Sequence, residues 1–295
     1  MSVPKVAVMN DISGFGRCSL TAAIPVLSVC GVQAVPLPTA VLSNQTCFAS
    51  YEKLDCSKYL PRLLNGWKKL HPSFDGIFTG YLAGAEQVDL AKELISDFRG
   101  ENTLIFVDPV LGDEGKFYSG FDRSMLLKMQ ELCSLADIIT PNFTEAMLLC
   151  NRTTDSLSDE KQAAIEAARQ SAELFGVKTV IVTGVKQEGQ IVNVGYHAKA
   201  KEWFFQTDPQ IGTACYSGTG DLLASALCGC MIRGESAQSA LKKAVIFLES
   251  ALKQTVSEGC DPNEGILFEP YLHLLMDFQQ RNRPAVLTGE GGIFQ

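Results

Sequence analysis

A short glycine-rich run that ends in an acid is the part of this chain best suited to chemistry. Gly218, Thr219, Gly220 and Asp221 stand directly before the apolar helical pattern of residues 222–227. Glycines leave backbone N–H groups uncovered, and the first turn of a helix carries unpaired N–H donors and a partial positive charge. Such a turn can hold a phosphoryl group while the Asp221 carboxylate accepts a proton from an attacking hydroxyl. The alternative interpretation is that Asp221 only caps the helix.

The segments that must position this run alternate between strand-like and helix-like patterns through residue 182. Continuous apolar strands between amphipathic helices indicate a parallel sheet covered on both faces, and residues 190–206 indicate an antiparallel hairpin. The predicted fold class is therefore α/β, with a mostly parallel central sheet and a small antiparallel hairpin. The predicted strands are residues 5–9, 32–37, 76–80, 103–107, 136–139 and 178–182, and the predicted helices are residues 16–30, 57–70, 84–98, 122–133, 142–150, 158–175, 221–233, 236–257 and 266–281. We predict one domain over residues 1–283 and a poorly packed tail over residues 284–295.

Polar residues follow each of these predicted strands. Ligands of open α/β sheets bind at the carboxyl ends of the strands, so the residues after the strands are candidates for one shared site. They are Asn10 and Asp11, residues 39–46, Gly80 and Tyr81, Asp108 with Asp113, Thr140 to Asn142 with Glu145, and Thr183 with Gly184.

Composition excludes several classes of protein. The chain has 295 residues, 46% of them hydrophobic, but no run of about 18 apolar residues, so we expect no membrane span. The net charge of −8 without a basic stripe argues against a nucleic-acid partner. The ten cysteines form no Cys-x-x-Cys pair, so a zinc site is not expected. Scattered free thiols, and a start without signal-peptide character, predict a cytoplasmic protein.

Two common nucleotide motifs are absent or incomplete. Gly14, Phe15 and Gly16 imitate the start of a dinucleotide fingerprint, but Ser19 stands where the third glycine should be. The second predicted strand ends in Pro36-Leu37-Pro38, without an acid for a ribose, so an NAD-dependent enzyme is not expected. The chain also lacks a Walker A motif, which excludes a P-loop kinase.

The set of loops resembles the ribokinase-like superfamily and, within it, the vitamin B6 kinases. The resemblance covers roughly residues 5–257 and depends on five segments in this order. They are Ser43-Asn44-Gln45-Thr46, Thr79-Gly80-Tyr81, Asp108-Pro109-Val110 with Gly112-Asp113, Ala136 to Asn142 with Glu145, and Gly218 to Asp221.

This resemblance implies a three-layer α/β/α fold and a phosphotransferase. The enzyme would use ATP and Mg²⁺ to phosphorylate the 5′-hydroxymethyl group of pyridoxal, pyridoxine or pyridoxamine. Activation by a monovalent cation such as K⁺ is left open. The family usually forms homodimers.

The resemblance also implies roles for individual residues. Asp221 matches the catalytic base, and Gly218, Thr219 and Gly220 match the anion hole. The substrate-binding candidates are Asn10, Leu42, Thr46, Tyr81 and Asp221; the ATP-binding candidates are Asp113, Tyr118, Asn142, Glu145, Thr183, Gly184 and Thr219; the metal-site candidates are Asp108, Thr140 and Glu145. Structural alternatives are a helix cap at Asn142 and Glu145 and ordinary turns at Asp113 and at Thr183-Gly184. Cys215 is expected to serve packing.

The first loop departs from the B6 kinase pattern. Many B6 kinases have serine, within Gln-Ser-His, where this chain has Asn10. The stretch from Asn10 to Gly16 is more similar to the hydroxymethylpyrimidine kinases, which carry an Asp-x-Ser-Gly-Gly loop. A B6 kinase is therefore the leading hypothesis. A hydroxymethylpyrimidine or other small-alcohol kinase is the first alternative, and a non-catalytic pyridoxal phosphate-binding protein is the second.

Overall fold

Strands and helices alternate through most of the chain, as the apolar pattern predicts. The structure, a computed structural model, describes residues 3–276 except residues 155, 156, 158 and 213. The predicted tail at 284–295, the domain boundary at 283 and the end of the helix predicted at 266–281 lie outside the described residues.

The first half of the chain supplies the centre of the sheet and one of its edges. Its elements are β1 (Lys5–Phe15), α1 (Ser19–Val29), β2 (Gln33–Asn44), β3 (Lys53–Asp55), α2 (Leu60–Leu70), β4 (Gly76–Thr79), α3 (Ala85–Phe98) and β5 (Leu104–Val107).

The second half supplies a separate two-stranded hairpin, the other edge of the sheet and the last long helices. Its elements are β6 (Gly112–Asp113), β7 (Lys116–Phe117), α4 (Arg123–Cys133), β8 (Ile138–Ile139), α5 (Phe143–Leu149), α6 (Glu160–Phe175), β9 (Thr179–Gln187), β10 (Gln190–His197), β11 (Glu202–Pro209), α7 (Thr219–Ile232) and α8 (Ala237–Ser257), followed by the 3₁₀ helices Pro262–Glu264 and Glu269–Leu275.

The main sheet has the strand order β11-β10-β9-β8-β5-β4-β1-β2-β3. Neighbours from β2 to β9 are parallel, whereas β3, β10 and β11 pair antiparallel at the two ends. The carboxyl ends of the parallel strands therefore lie along one edge, where ligands of such sheets bind. The hairpin predicted at residues 190–206 is confirmed as β10 and β11.

Hydrophobic cores on both faces of the sheet make the fold three-layered. Ala7 and Met9 of β1 lie in a core with residues of α2 to α6, whereas Val6 and Val8 lie in a second core with residues of α1, α7 and α8. Alternate residues of a strand point to opposite faces, so one apolar strand contributes to both cores. The predicted fold class, a mostly parallel α/β/α sandwich, is confirmed.

Three local features differ from the predictions. β1 and β2 extend to Phe15 and Asn44, well past their predicted ends, because their polar ends pair with each other across a register shift between Asn10 and Ile12. The short strands β3, β6 and β7 were not predicted. The end of the chain forms the 3₁₀ helix Glu269–Leu275 where an α-helix was predicted from residue 266. None of the helices within the described residues is long and apolar enough to cross a membrane.

Candidate active site

The glycine-rich run forms the N-terminus of α7, and it is packed against the loop before α1. Gly218 has φ of +79°, and a Cβ atom there would lie 1.9 Å from the carbonyl oxygen of Arg17. Only glycine fits this conformation and this approach. The Thr219 hydroxyl donates to the carbonyl oxygen of Tyr216 over 2.6 Å, whereas Gly220 faces open space. The run therefore presents its backbone at an open helix N-terminus, as an anion site requires.

Asp221 follows in the first turn of α7 and is half-buried. Burial raises the pKa of this carboxyl to about 6, the Ser19 N–H lowers it, the charge of Asp11 raises it, and the amide of Asn10 lowers it. Asn10 Nδ2 donates to Asp221 Oδ1 over 3.1 Å. Asp221 is therefore mostly ionised at neutral pH, although its pKa is high enough for proton transfer.

A second acid lies on the same rim, at the end of β5. Asp108 is buried, and its Oδ1 accepts from the Thr140 hydroxyl over 2.9 Å. Burial raises the pKa of Asp108 well above the ordinary carboxyl value, and the negative charge of Asp221 raises it further. The interaction between these two carboxyls shows that the end of β5 and the start of α7 face one region.

Asn142 and Glu145 form a complete capping box at the start of α5, so the structural alternative for this pair is confirmed. Glu145 Oε2 accepts from the Asn142 N–H over 2.8 Å, and Oε1 accepts from the Leu111 N–H over 3.0 Å. Burial raises the pKa of Glu145, and the charge of Asp108 adds to this effect. Each Glu145 carboxylate oxygen still has a free lone pair after capping, so Glu145 can also bind a metal ion.

The β6–β7 hairpin lies over α5. Asn142 Nδ2 donates to the carbonyl oxygen of Gly112 over 2.8 Å, and the Gly115 N–H donates to Thr144 Oγ1 over 2.9 Å. Asp113 is exposed and its side chain accepts from the N–H of Glu114, as in an ordinary turn. Tyr118, which follows the hairpin, has its pKa raised by burial and by the charge of Glu145. The predicted ATP-binding residues of this hairpin therefore lie next to Asn142 and Glu145.

Thr183 and Gly184 continue the same rim on β9. The Thr183 N–H donates to the carbonyl oxygen of Pro141 over 2.9 Å, in a parallel bridge between Asn142 and Thr183. Gly184 has φ of +73°, and its N–H donates to Asn193 Oδ1 over 3.2 Å. The two residues belong to a strand with a local irregularity rather than to an isolated turn.

The predicted substrate residues are brought together only in part. The Tyr81 N–H donates to Asn10 Oδ1 over 2.8 Å, which joins both residues to Asp221. Leu42 is buried on β2, opposite Ser13. Thr46 lies exposed in the loop after β2. The roles predicted for these residues toward a ligand stay predictions.

Further residues lie beside these candidates. Asp11 was expected on this rim without a specific role, and Ser13, Ser19, Lys53 and Phe121 were not among the candidates. The buried Asp11 accepts from the Ser13 hydroxyl over 3.0 Å, and Ser19 has a positive φ of +53° next to Asp221. Lys53 Nζ donates to the Tyr81 hydroxyl over 3.2 Å, and Phe121 stacks on the Tyr81 ring with 5.9 Å between centroids. Asp11 and Ser13 follow a predicted strand, which was a usable signal. Lys53 and Phe121 come from distant segments, and the sequence gives no signal that would place them at the site.

Within the described residues, no group of three or more His, Cys, Asp or Glu side chains could hold a metal ion by itself. Mg²⁺ is commonly bound by one or two protein carboxylates together with substrate phosphates and water, and the buried Asp108 carboxylate with the Thr140 hydroxyl beside it offers oxygen atoms of this kind. Asp108 supplies the carboxylate best suited to this role, because each Glu145 oxygen already accepts a backbone N–H.

Fold and site together define a phosphotransferase with an alcohol acceptor and a ribokinase-like fold. Residues 20–265 match the phosphomethylpyrimidine kinase family, and the chain belongs to that family. Over 85% of its length the chain is 29% identical to a thiamine biosynthetic bifunctional enzyme of Arabidopsis thaliana, and it spans 47% of that enzyme. Its similarity to a pyridoxal kinase of Dictyostelium discoideum is 28% identity over 269 residues, 85% of this chain and 86% of that protein.

Solved structures are similar over nearly the whole chain. A crystal structure from Bacteroides thetaiotaomicron, provisionally described as a phosphomethylpyrimidine kinase, is 38% identical with a TM-score of 0.90 and covers 95% of this chain and 96% of that one. A second crystal form of that protein, with pyridoxal, is 38% identical with a TM-score of 0.88 and covers 93% and 96%. The pyridoxal kinase of Lactobacillus plantarum is 27% identical with a TM-score of 0.85 and covers 96% and 100%.

Proposed function

We propose that this chain transfers the γ-phosphoryl group of ATP to the 5′-hydroxymethyl group of pyridoxal, pyridoxamine or pyridoxine. The observation that carries the proposal is the 3.1 Å contact between Asp221 and Asn10. It joins an acid in the first turn of α7 to the middle of β1, where the residues after β4 also contact Asn10. The 38% identity to a protein crystallised with pyridoxal supports a pyridine substrate.

Asp221 acts as the general base in this account. With its pKa at about 6 the carboxylate is mostly ionised at neutral pH, and it accepts the proton of the hydroxymethyl group as the γ-phosphoryl group arrives. Such assistance typically contributes about 10² to 10⁴ in rate. The backbone N–H groups of Gly218, Thr219 and Gly220 stabilise the charge on the transferring group.

Nucleotide and cation complete the site. Buried acids and a net charge of −8 repel ATP, so cations and N–H donors must offset this repulsion. Asp108 and Thr140, with Glu145 beside them, would hold Mg²⁺, which neutralises phosphate charge when bound. Asp113, Tyr118, Asn142, Thr183 and Gly184 would line the nucleotide. Turnover measured with and without K⁺ tests whether a monovalent cation activates the enzyme.

Hydroxymethylpyrimidine is the second candidate substrate. The loop from Asn10 to Gly16 favours it, because Asp11 and Ser13 form a buried pair where hydroxymethylpyrimidine kinases carry their own Asp-x-Ser-Gly-Gly loop. Its reaction needs the same base and the same anion site. A non-catalytic pyridoxal phosphate-binding protein is less well supported, because such a protein has no use for the acids at 108, 145 and 221.

Turnover with ATP and Mg²⁺ separates these candidates. Each B6 vitamer and hydroxymethylpyrimidine is offered separately, and ADP release is measured with the purified chain. We expect kcat/KM to be at least about tenfold higher for one of the vitamers, the size of effect that a few pocket contacts produce. Equal or faster use of the pyrimidine would overturn the substrate assignment, and no turnover with any alcohol would favour the binding protein.

The chain is further proposed to be a cytoplasmic homodimer. All ten cysteines are free, which suits a reducing compartment. Large apolar side chains on the β2–β3 edge are exposed, among them Val41 and Leu54, and exposed apolar patches commonly mark interfaces.

A further inference from the structure

The side-chain amide of Asn10 has only one orientation that satisfies its neighbours. Its Oδ1 accepts from the Asp11 N–H over 3.0 Å and from the Tyr81 N–H over 2.8 Å. Backbone N–H groups can only donate, so the amide oxygen must face them. Nδ2 is thereby directed at Asp221 Oδ1, 3.1 Å away.

The surrounding backbone holds this amide tightly. Asn10 is only 1% exposed, and it lies where the pairing of β1 with β2 shifts register. A Cβ atom at Gly80 would lie 2.5 Å from Asn10 Nδ2, so glycine is needed there for the amide to fit. Irregular pairing commonly re-aims a side chain, and here it aims Asn10 across the site at a residue 211 positions away.

We infer that Asn10 is a positioning residue, clamped by Gly80 and two backbone N–H groups, which holds the Asp221 carboxylate in place for proton transfer. This inference rests on the proposed function, because it assigns Asn10 a task for that reaction in addition to its predicted contact with the substrate. The Ser19 N–H holds Asp221 as well, while the nearby charge of Asp11 acts in the opposite sense. Asn10 thus offsets part of the electrostatic cost of placing Asp221 beside another acid.

The test is Asn10→Asp, which keeps the size of the side chain and both acceptor bonds on Oδ1. It replaces the N–H donor with a second carboxylate oxygen beside Asp221, and like charges at this distance raise the pKa of the pair. We expect the midpoint of the pH–kcat profile to rise by about two units, with turnover about tenfold lower at pH 7 and recovery at pH 9. The KM for ATP should change by less than about twofold.

A residue that only contacts the substrate would behave differently. If Asn10 only contacted the substrate, displacing its amide without adding a charge, as in Gly80→Ala, would raise the KM for the alcohol and leave the pH midpoint unchanged, which would overturn the inference. The matched control for Asn10→Asp is Asn65→Asp, an exposed position in α2 that adds the same charge away from the site. Gly80→Ala displaces the same amide without adding a charge, so a smaller rise in the midpoint is expected from loss of the donor alone; an unchanged midpoint overturns the inference.

A measurement without turnover separates this inference from the proposed function. The carboxyl ¹³C resonance of Asp221 is identified as the one lost in Asp221→Asn and is titrated in the ligand-free protein. A midpoint that rises in Gly80→Ala, which displaces the donor without adding a charge, supports the positioning role even if pyridoxal is not phosphorylated. A midpoint that stays unchanged contradicts the role even if the chain is an active kinase.

Discussion

Four acids lie along the candidate site, in β1, directly after β5 and in the first turns of α5 and α7, and burial raises the pKa of each. Burial is the largest effect at Asp11, Asp108, Glu145 and Asp221, and mutual repulsion adds to it in each case except Asp11. Such a cluster destabilises the ligand-free protein, and groups of this kind are common at functional sites. At the residue scale, these raised pKa values support the proposed roles of the site in cation binding and proton transfer.

Asp221→Asn removes the proposed base and keeps the shape of the side chain. Since general-base assistance typically contributes about 10² to 10⁴ in rate, we expect kcat to fall by at least about 10². ATP affinity, measured by calorimetry with Mg²⁺ and without the alcohol, should change little. A variant with wild-type kcat would remove Asp221 from this role.

The pH dependence of turnover reports the ionisation of the same residue. Burial raises the pKa of Asp221 to about 6, and only the ionised carboxylate can accept a proton. The rate should therefore rise as pH rises through about 6 and then level off, measured as kcat with saturating substrates. A rate that falls as pH rises from 5 to 7 is incompatible with a carboxylate base.

Asp108→Asn should make the ligand-free protein more stable while it lowers activity. The buried carboxylate favours its protonated form, so its cost to stability grows as pH rises above the ordinary carboxyl range. Asparagine can still accept from the Thr140 hydroxyl. We expect the free energy of unfolding to increase by at least about 1 kcal/mol at pH 8, equivalent to one pKa unit, and by less at pH 5. Urea denaturation at both pH values measures this, and a loss of stability at pH 8 would argue against a penalised charge.

Local motifs made some of these residues predictable. Asp221 follows two glycines at a helix start, and Asn142 with Glu145 has the spacing of a capping box, which the structure confirms. The contact between Asn10 and Asp221 was not predictable, because no local pattern relates residues 211 positions apart. The positive φ of Ser19 was equally hidden, since serine gives no signal for it.

At the scale of elements, the junction between α1 and α7 determines the shape of the proposed anion site. The loop before α1 touches the first residue before α7, and both helices lie in the same hydrophobic core. The backbone of the loop before α1 thereby determines the direction of the N–H groups at the start of α7.

Gly218→Ala tests this junction. A Cβ atom would collide with the carbonyl oxygen of Arg17 at 1.9 Å, and alanine is strained at a φ of +79°. We expect a loss of about 1 to 3 kcal/mol in stability and at least about a tenfold fall in kcat/KM for ATP, measured by urea denaturation and steady-state kinetics. Gly66→Ala is the matched control, because Gly66 lies exposed in α2 with open space around it. Equal effects of the two substitutions would contradict the steric argument.

The elements were predictable where the apolar pattern was strong. The central strands and the hairpin of β10 and β11 followed from their patterns. The long ends of β1 and β2 did not, because polar and glycine residues continue as strand only when a partner strand supplies the hydrogen bonds.

At the scale of the whole molecule, the proposed dimer makes a separate prediction. Leu54 lies on the edge strand β3 and is 60% exposed. We expect light scattering to give twice the 32.0 kDa chain mass for the wild type. Leu54→Lys should shift the equilibrium toward monomer, because the dimer interface would have to bury the lysine charge. Lys69→Leu on α2 is a control for a change at another exposed position. A monomeric wild type at micromolar concentration would refute the dimer.

The layered fold was predictable because alternating apolar segments leave few ways to cover a sheet. The convergence of the loops on one rim followed from the rule for parallel strands and not from any single motif. In the proposed site, the choice of alcohol depends on side chains from β1, β2 and the residues after β4. These side chains come together only when the chain folds, so the sequence does not predict the choice.

A crystal structure with pyridoxal and a non-hydrolysable ATP analogue tests the central claim most directly. We expect the 5′-oxygen of pyridoxal within about 3 Å of the Asp221 carboxylate, with the γ-phosphate against the N–H groups of Gly218, Thr219 and Gly220. A pyridoxal bound away from Asp221, or one whose hydroxymethyl group points away from the nucleotide, would contradict it.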